Sequence, residues 1–302
     1  MKLFHKIKGF FPTGLQDQID LAILRYQRSK VPDSGTQKLL LLNYKKLAQS
    51  QQTCSFREVG FCGYSGSDED GVLLYIFSLI GVTNQQFVDI GAAGVGASNT
   101  ANLVINHSWY GLHIDGNSEV LRKAQSVYAK TPGVQHMLPK AVSAYVSAEN
   151  INELVQSNGF EGSLDLLSLD IDGNDYWVWK ALDCIQPRVV IAEYQPAITA
   201  ENAWTTPYDP EFNCDDFPVN QTSGEKIYAG ASLAALTKLA NEKGYRLVGC
   251  NAHGVNAFFV QHGEGEQLLP EVTVESCLDN PRALSMQHEY KSILADLEWI
   301  KV

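Results

Sequence analysis

From residue 86 onward the chain alternates short apolar runs with stretches of helical periodicity, which is how a parallel sheet with crossover helices reads in sequence. The runs are Phe87–Ile90, Tyr110–Ile114, Val134–Leu138, Leu164–Leu169 and Val189–Tyr194. Two later runs, Tyr245–Cys250 and Val255–Val260, stand too close together for a crossover. They are therefore expected to form an antiparallel hairpin through Asn251-Ala252-His253-Gly254. The expected class is α/β, a Rossmann-like and mostly parallel sheet closed by that hairpin.

The flanks read differently. Apolar positions at helical spacing over residues 15–50 include Ile19, Leu21, Ile23, Leu24, Leu39–Leu42 and Leu47, and Pro32-Asp33-Ser34-Gly35 interrupts them. Two helices joined by a turn are expected there, and a third over Gly71–Leu79. Residues 196–230 are polar, contain Pro207, Pro210 and Pro218, and exceed the usual strand-to-helix connection. Loops of that length tend to carry function. Ser232 then suits the N-cap of a helix Leu233–Lys243, which Gly244 ends. The organisation expected is an N-terminal helical extension or cap over 1–80, a core over 81–261 with its long loop at 196–230, and a C-terminal appendage over 262–302.

Composition narrows the partners. A chain of 302 residues, 45% hydrophobic and 19% charged, can bury one sizeable core. Its net charge of −11 argues against a broad phosphate-binding surface, so no nucleic acid partner is expected. The short basic stretches at Lys2, Lys6 and Lys8 and at Arg25–Lys30 read as solvated faces. Six scattered cysteines without a C-x-x-C pair read as reduced thiols, and Phe10-Phe11 is too short for a leader, which together suggest the cytoplasm. No apolar run reaches membrane-spanning length, so no membrane span is expected.

The sharpest local signal is Phe87-Val88-Asp89-Ile90-Gly91-Ala92-Ala93-Gly94-Val95-Gly96, a strand running into a small-residue loop and a helix expected near Ser98-Asn99. Gly91, Ala92 and Gly94 would let a ligand approach the backbone, and Asn99 lies where the helix offers unpaired N–H groups. A dinucleotide loop would read G-x-G-x-x-G, whereas this one reads G-x-x-G-x-G with Asp89 two residues before Gly91. That carboxylate would repel a pyrophosphate and suit the cationic amino and sulfonium groups of S-adenosylmethionine. Asp115 closes the second strand, where an acid can accept both hydroxyls of a ribose.

A third signal is Leu164-Asp165-Leu166-Leu167-Ser168-Leu169-Asp170-Ile171-Asp172-Gly173-Asn174-Asp175-Tyr176-Trp177, in which a buried strand delivers acids to its C-terminal end. It is no calcium hand, because Gly173 stands fourth instead of sixth and Ala181 replaces the closing glutamate. Asp170 and Asp172 could take a substrate proton, or could bind a divalent cation such as magnesium. Glu193 reaches the same edge and could join them as base or metal ligand; His253 in the hairpin turn is a further catalytic candidate.

With these residues in hand, the chain resembles the FkbM-like methyltransferases over roughly residues 56–261. The resemblance rests on Tyr64-Ser65, Glu69-Asp70-Gly71, Val88-Asp89-Ile90-Gly91-Ala92, Leu167–Tyr176, Glu193-Tyr194, Pro207-Tyr208-Asp209-Pro210, Gly230-Ala231-Ser232-Leu233 and Gly249-Cys250-Asn251. It departs from the family where Ser65-Gly66-Ser67-Asp68 replaces the usual Ser-Gln. The resemblance implies a class I methyltransferase sheet, S-adenosylmethionine as cofactor, and O-methylation of a hydroxyl on a sugar or natural-product scaffold. It also implies that Glu69, Tyr208 and Asp209 line the substrate side. A small molecule or glycan is then the expected partner. N-methylation of a peptide or small-molecule amine, a nicotinamide-dependent oxidoreductase, and a non-catalytic scaffold with the same fold stay open at this stage.

Overall fold

The computed structural model describes residues 32–92, 94–220, 224 and 226–302. The basic stretches before residue 32 and the first of the two N-terminal helices lie outside the described residues. Asp33, expected in the turn, caps the helix that follows: its side chain accepts the Thr36 N–H, and α1 (Ser34–Gln49) starts from it. After the single turn α2 (Phe56–Val59) comes α3 (Glu69–Ile80), in which every residue from Glu69 to Ser78 is buried. A helix apolar on all sides must be covered on all sides. α1 covers one side of it and the sheet the other.

The sheet strands are β1 (Gln86–Ile90), β2 (Tyr110–Asp115), β3 (Lys140–Ser143), β4 (Gly162–Leu169), β5 (Ile185–Glu193), β7 (Tyr245–Cys250) and β8 (Asn256–Gln261), while the two-residue β6 (Trp204–Thr205) lies apart from them. Their order is β3-β2-β1-β4-β5-β8-β7. β1 through β5 pair in parallel, and β8 runs antiparallel to both β5 and β7, as the short Asn251–Gly254 connection requires. The crossovers are α4 (Ala101–His107), α5 (Ser118–Ala129), α6 (Ile151–Ser157), α7 (Asp175–Ala181) and α8 (Leu233–Glu242). Ser232 caps α8 through the Ala235 N–H, and Gly244 follows its end with φ +86°.

The third strand departs from the sequence reading. Val134–His136 is a short 3-10 turn and the strand begins only after Pro139, at Lys140. β3 is an edge strand with Lys140, Ala141 and Ser143 exposed, so it needs no apolar run and left none to read. The helix expected near Ser98-Asn99 likewise begins later, at Ala101.

Alternation along the central strands sorts the core into two layers. Val88, Ile90, Leu167, Leu169, Val190 and Ala192 face one layer, with Val155 of α6, Trp179 of α7 and Leu236 of α8. Phe87, Leu166, Val189, Ile191 and Phe258 face the other, with Tyr44, Leu73, Val104 and Tyr128. On that second face the next inward positions toward the C-terminal edge are polar: Asp89, Ser168, Asp170, Glu193 and Asn256. The last elements, α9 (Val274–Leu278), α10 (Pro281–Glu289), α11 (Lys291–Ala295) and β9 (Ile300–Lys301), return the chain, so that β9 pairs with β6. Among the described residues no helix is long and apolar enough to cross a membrane.

Candidate functional site

Strand order reverses between β1 and β4, since β1 lies beside both β2 and β4. In an open α/β sheet the crossovers diverge at that point and leave a crevice at the carboxyl ends of the strands. The glycine turn sits in it. Gly91 has φ +80°, its N–H donates to the Ile114 carbonyl (2.9 Å), and the Asp170 N–H donates to the Ile90 carbonyl (3.0 Å). A Cβ at Gly91 would lie 1.7 Å from the Asp170 carbonyl oxygen. Gly94 also has positive φ (+79°), whereas a Cβ at Gly96 would meet nothing within 4 Å, so the backbone there is open to approach. Ala92 is 3% exposed and packs inward.

Asp89 is turned into the protein, with 2% exposure. Its Oδ2 accepts the hydroxyls of Ser98 (3.1 Å) and Thr100 (2.7 Å). Thr100 Oγ1 also lies 3.0 Å from His113 Nε2. Burial lowers the His113 pKa, against the pull of Asp89, so the ring is neutral. With the Thr100 proton given to Asp89, His113 donates from Nε2, and its Nδ1 has no partner. Tyr128 stacks on that ring at 5.7 Å and 11°. Asp89 thus ties the segment after the glycine turn down to the sheet. Asn99 is drawn in the same way, with its Nδ2 3.2 Å from Ser168 Oγ. These inward pulls explain why α4 starts late: Ser98 and Asn99 serve β1 and β4 instead of a helical turn.

Asp115, partly exposed at the end of β2, accepts the Asn117 N–H at Oδ1 (2.7 Å). Asn117 in turn caps α5. The carboxylate is therefore held at the rim of the crevice by its own turn.

Beyond β1 the same edge gathers acid. Asp170, Asp172 and Glu193 each offer a carboxylate oxygen, and these oxygens lie within 4.8 Å of one another. Asp175 shapes the turn between them by accepting the N–H groups of Ile171 and Gly173 (2.9 Å each). Burial, then Asp175 and Asp172, raise the Asp170 pKa to about 7, against a hydrogen bond from Glu193 that lowers it. Burial and the same acids, Asp170 foremost, hold Glu193 well above the ordinary carboxyl range. Glu193 therefore keeps a proton and donates it toward Asp170. Asp172, at φ +56°, instead meets Lys226 Nζ at 2.9 Å, and Lys226 also reaches Asp215 at 3.6 Å. Burial opposes the Lys226 charge, but Cys214 and Asp172 outweigh it and raise its pKa. As a metal site, the three acids supply hard oxygen donors that suit magnesium, with Lys226 competing for Asp172.

The 196–230 loop packs over the turn that follows β4. Trp177 Nε1 donates to the Thr206 carbonyl and Thr206 Oγ1 to the Gly173 carbonyl (2.8 Å each). Asn174 Nδ2 donates to the Asp209 carbonyl (2.7 Å), and the exposed Asp209 side chain accepts the Glu211 N–H (2.9 Å). Tyr208 bonds Glu149 through its hydroxyl and lies against Trp177 at 6.0 Å. Lys226, which brings the loop onto Asp172, was not singled out in the sequence; it stands 54 residues from its partner.

Glu69 is 1% exposed, and its Oε1 accepts the side-chain amides of Asn251 (2.8 Å) and Asn256 (3.0 Å). Next to it Asp70 accepts three backbone N–H groups, from Gly63, Tyr64 and Ser65. Glu69 is thus brought beside β8, at the Glu193 end of the edge, buried and anchoring Asn251 and Asn256. His253 is exposed in the hairpin turn and stands apart from the three clustered acids. Its carbonyl and that of Gly254 receive Arg282 (3.2 and 2.7 Å).

No protein-family model matches the chain, and no curated protein sequence does. Among solved structures it is similar to magnesium protoporphyrin IX methyltransferase ChlM from Synechocystis PCC 6803 with bound SAM, at 11% identity and TM-score 0.38 over 64% of this chain and 77% of that one. It is also similar to the methyltransferase domain of bacterial CtHen1-C, at 12% identity and TM-score 0.40 over 64% and 96%. A third likeness is to the O-methyltransferase TomG from Streptomyces achromogenes, involved in tomaymycin synthesis and in complex with SAM, at 15% identity and TM-score 0.38 over 73% and 89%. The fold itself rests on this chain's own strand order: five parallel strands closed by an antiparallel hairpin, the class I methyltransferase sheet.

Proposed function

We propose that this chain is an S-adenosylmethionine-dependent methyltransferase of the FkbM-like group that methylates a hydroxyl on a sugar or natural-product scaffold. The observation that carries this reading is the acid pair Asp170–Glu193, set at the crevice edge next to the glycine turn. When bound, the cofactor supplies an electrophilic methyl group and is released as S-adenosylhomocysteine. Asp115 would accept the ribose hydroxyls, and the open backbone at Gly96 would admit the amino-acid portion.

An aliphatic hydroxyl needs somewhere to send its proton during an in-line displacement. Asp170 receives it, because burial and the neighbouring acids raise its affinity for a proton. The loop bearing Tyr208 and Asp209 packs on the turn after β4, where it would shield a bound acceptor from water. An amine acceptor would need less help from such a pair, and a dinucleotide would meet an acidic edge where it needs amides. The clustered oxygens of Asp170, Asp172 and Glu193 support a second reading, in which a divalent cation takes over the role of the base.

Incubation with methyl-labelled S-adenosylmethionine and a panel of sugars, polyketides and peptides, with and without chelator, tests both readings. Label on an oxygen, insensitive to chelator, is the expected product. Label on nitrogen only, or none while S-adenosylhomocysteine binds, would contradict O-methylation.

A further inference from the structure

Glu193 and Asn256 are direct partners across β5 and β8. Side chains so paired in an antiparallel ladder stand on the same face, about 5 Å apart at Cβ. Asn256 therefore shares the face of the acid pair, and it is only 4% exposed. Three of its four polar groups are satisfied. Its N–H donates to Asn251 Oδ1 (3.0 Å), its carbonyl accepts the Asn251 N–H (3.0 Å), and Nδ2 donates to Glu69 Oε1 (3.0 Å). Its Oδ1 has no partner.

The amide cannot be turned round to relieve this. A reversed amide would set Oδ1 against the Glu69 carboxylate, whose Oε1 already serves as the acceptor for two amides and whose Oε2 accepts the Ser67 N–H (2.8 Å). Glu69 thus fixes the Asn256 amide with its carbonyl oxygen unpartnered, on the residue directly opposite Glu193. A buried acceptor without a donor carries a desolvation penalty that a ligand's donor removes.

We propose that Asn256 is a specificity-determining residue: its Oδ1 accepts the hydroxyl adjacent to the one that Asp170 and Glu193 address, so the acceptor is a vicinal diol of the kind a pyranoside ring presents. This rests on the methyltransferase reading above and deepens it. The Asp170 carboxylate, held by Glu193, and the Asn256 carbonyl oxygen opposite Glu193 on the adjoining strand offer two acceptors on one face, which match two O–H donors on neighbouring carbons. Rejection of an analogue lacking the second hydroxyl follows, because the orphan oxygen would then be sealed in without water.

The test uses methyl glucopyranoside, galactopyranoside and mannopyranoside and their monodeoxy counterparts, with S-adenosylhomocysteine release as the readout. For a hexopyranoside that is turned over, loss of the hydroxyl neighbouring the methylated one should lower kcat/KM at least tenfold in the wild type. In Asn256→Leu the same deletion should change it less than threefold, with the rise in KM for the diol exceeding the fall in kcat. Asn256→Ser withdraws the carbonyl with a smaller packing change and should behave alike if the leucine variant does not fold. Equal use of diol and deoxy sugar by the wild type, an unchanged ratio in the variants, or no reaction with any hexopyranoside while S-adenosylhomocysteine binds would overturn the assignment. Failure of S-adenosylhomocysteine to bind at all would instead strike the methyltransferase reading.

Discussion

A Cβ at Gly91 would lie 1.7 Å from the carbonyl oxygen of Asp170, so the first turn of the glycine loop rests on the backbone at the end of β4. The loop after β1 and the backbone that carries Asp170 after β4 are therefore in direct contact, and the Asp170 N–H donates to the Ile90 carbonyl.

Gly91→Ala should be severe. The residue has φ +80°, and the added carbon meets backbone, which has no rotamer through which to yield. A loss of about 3 kcal/mol or more of stability is expected on the scale of such strain. Urea denaturation measures it; a loss below about 1 kcal/mol would show that the loop can part from β4.

Asp165 lies at the opposite end of β4 and is fully buried. It accepts the N–H groups of Thr83, Asn84 and Gln85 and pairs with Arg188 at 2.8 Å. Asp165→Ala would orphan the N–H groups of Thr83, Asn84 and Gln85 and leave Arg188 with Glu264 as its remaining ion partner, and a loss of about 3 kcal/mol is expected. Burial raises the Asp165 pKa, but the bond to Arg188 and the backbone donors outweigh it, and the net shift is downward from 3.8. Its contribution is thus fully present above pH 3.8 and is lost as pH falls through the lowered value. Acid titration of the denaturation midpoint should lose that component in Asp165→Ala.

Much of the fold is legible in the sequence because local physics decides it. The hairpin of β7 and β8 follows from the brevity of Asn251–Gly254, and the cap of α8 follows from Ser232. Long-range partners are not legible. Nothing near Asp172 announces Lys226, and Glu69 meets Asn251 across 182 residues. The glycine pattern marks Asp89 as special, but its bonds to Ser98 and Thr100 become visible only once the segment after the turn is placed.

For the chemical step, Asp170→Asn should lower kcat by roughly 100-fold or more, in the range of lost general-base catalysis, with affinity for S-adenosylhomocysteine nearly unchanged. Because burial and neighbouring acids raise the Asp170 pKa to about 7, activity should fall as pH drops below that value, where the base becomes protonated. A pH–kcat/KM profile checks it; a flat profile from pH 5 to 8 would remove Asp170 from that role.

The central claim is that the crevice between β1, β2 and β4 binds an adenosyl ligand held at its ribose by Asp115. Isothermal calorimetry with S-adenosylhomocysteine, on the wild type and on Asp115→Ala, tests it most directly. One site per chain is expected, weakened roughly 10- to 100-fold in the variant by the loss of two charge-assisted hydrogen bonds, with the melting temperature little changed. An undiminished affinity in Asp115→Ala, or no heat of binding in the wild type, would contradict the account.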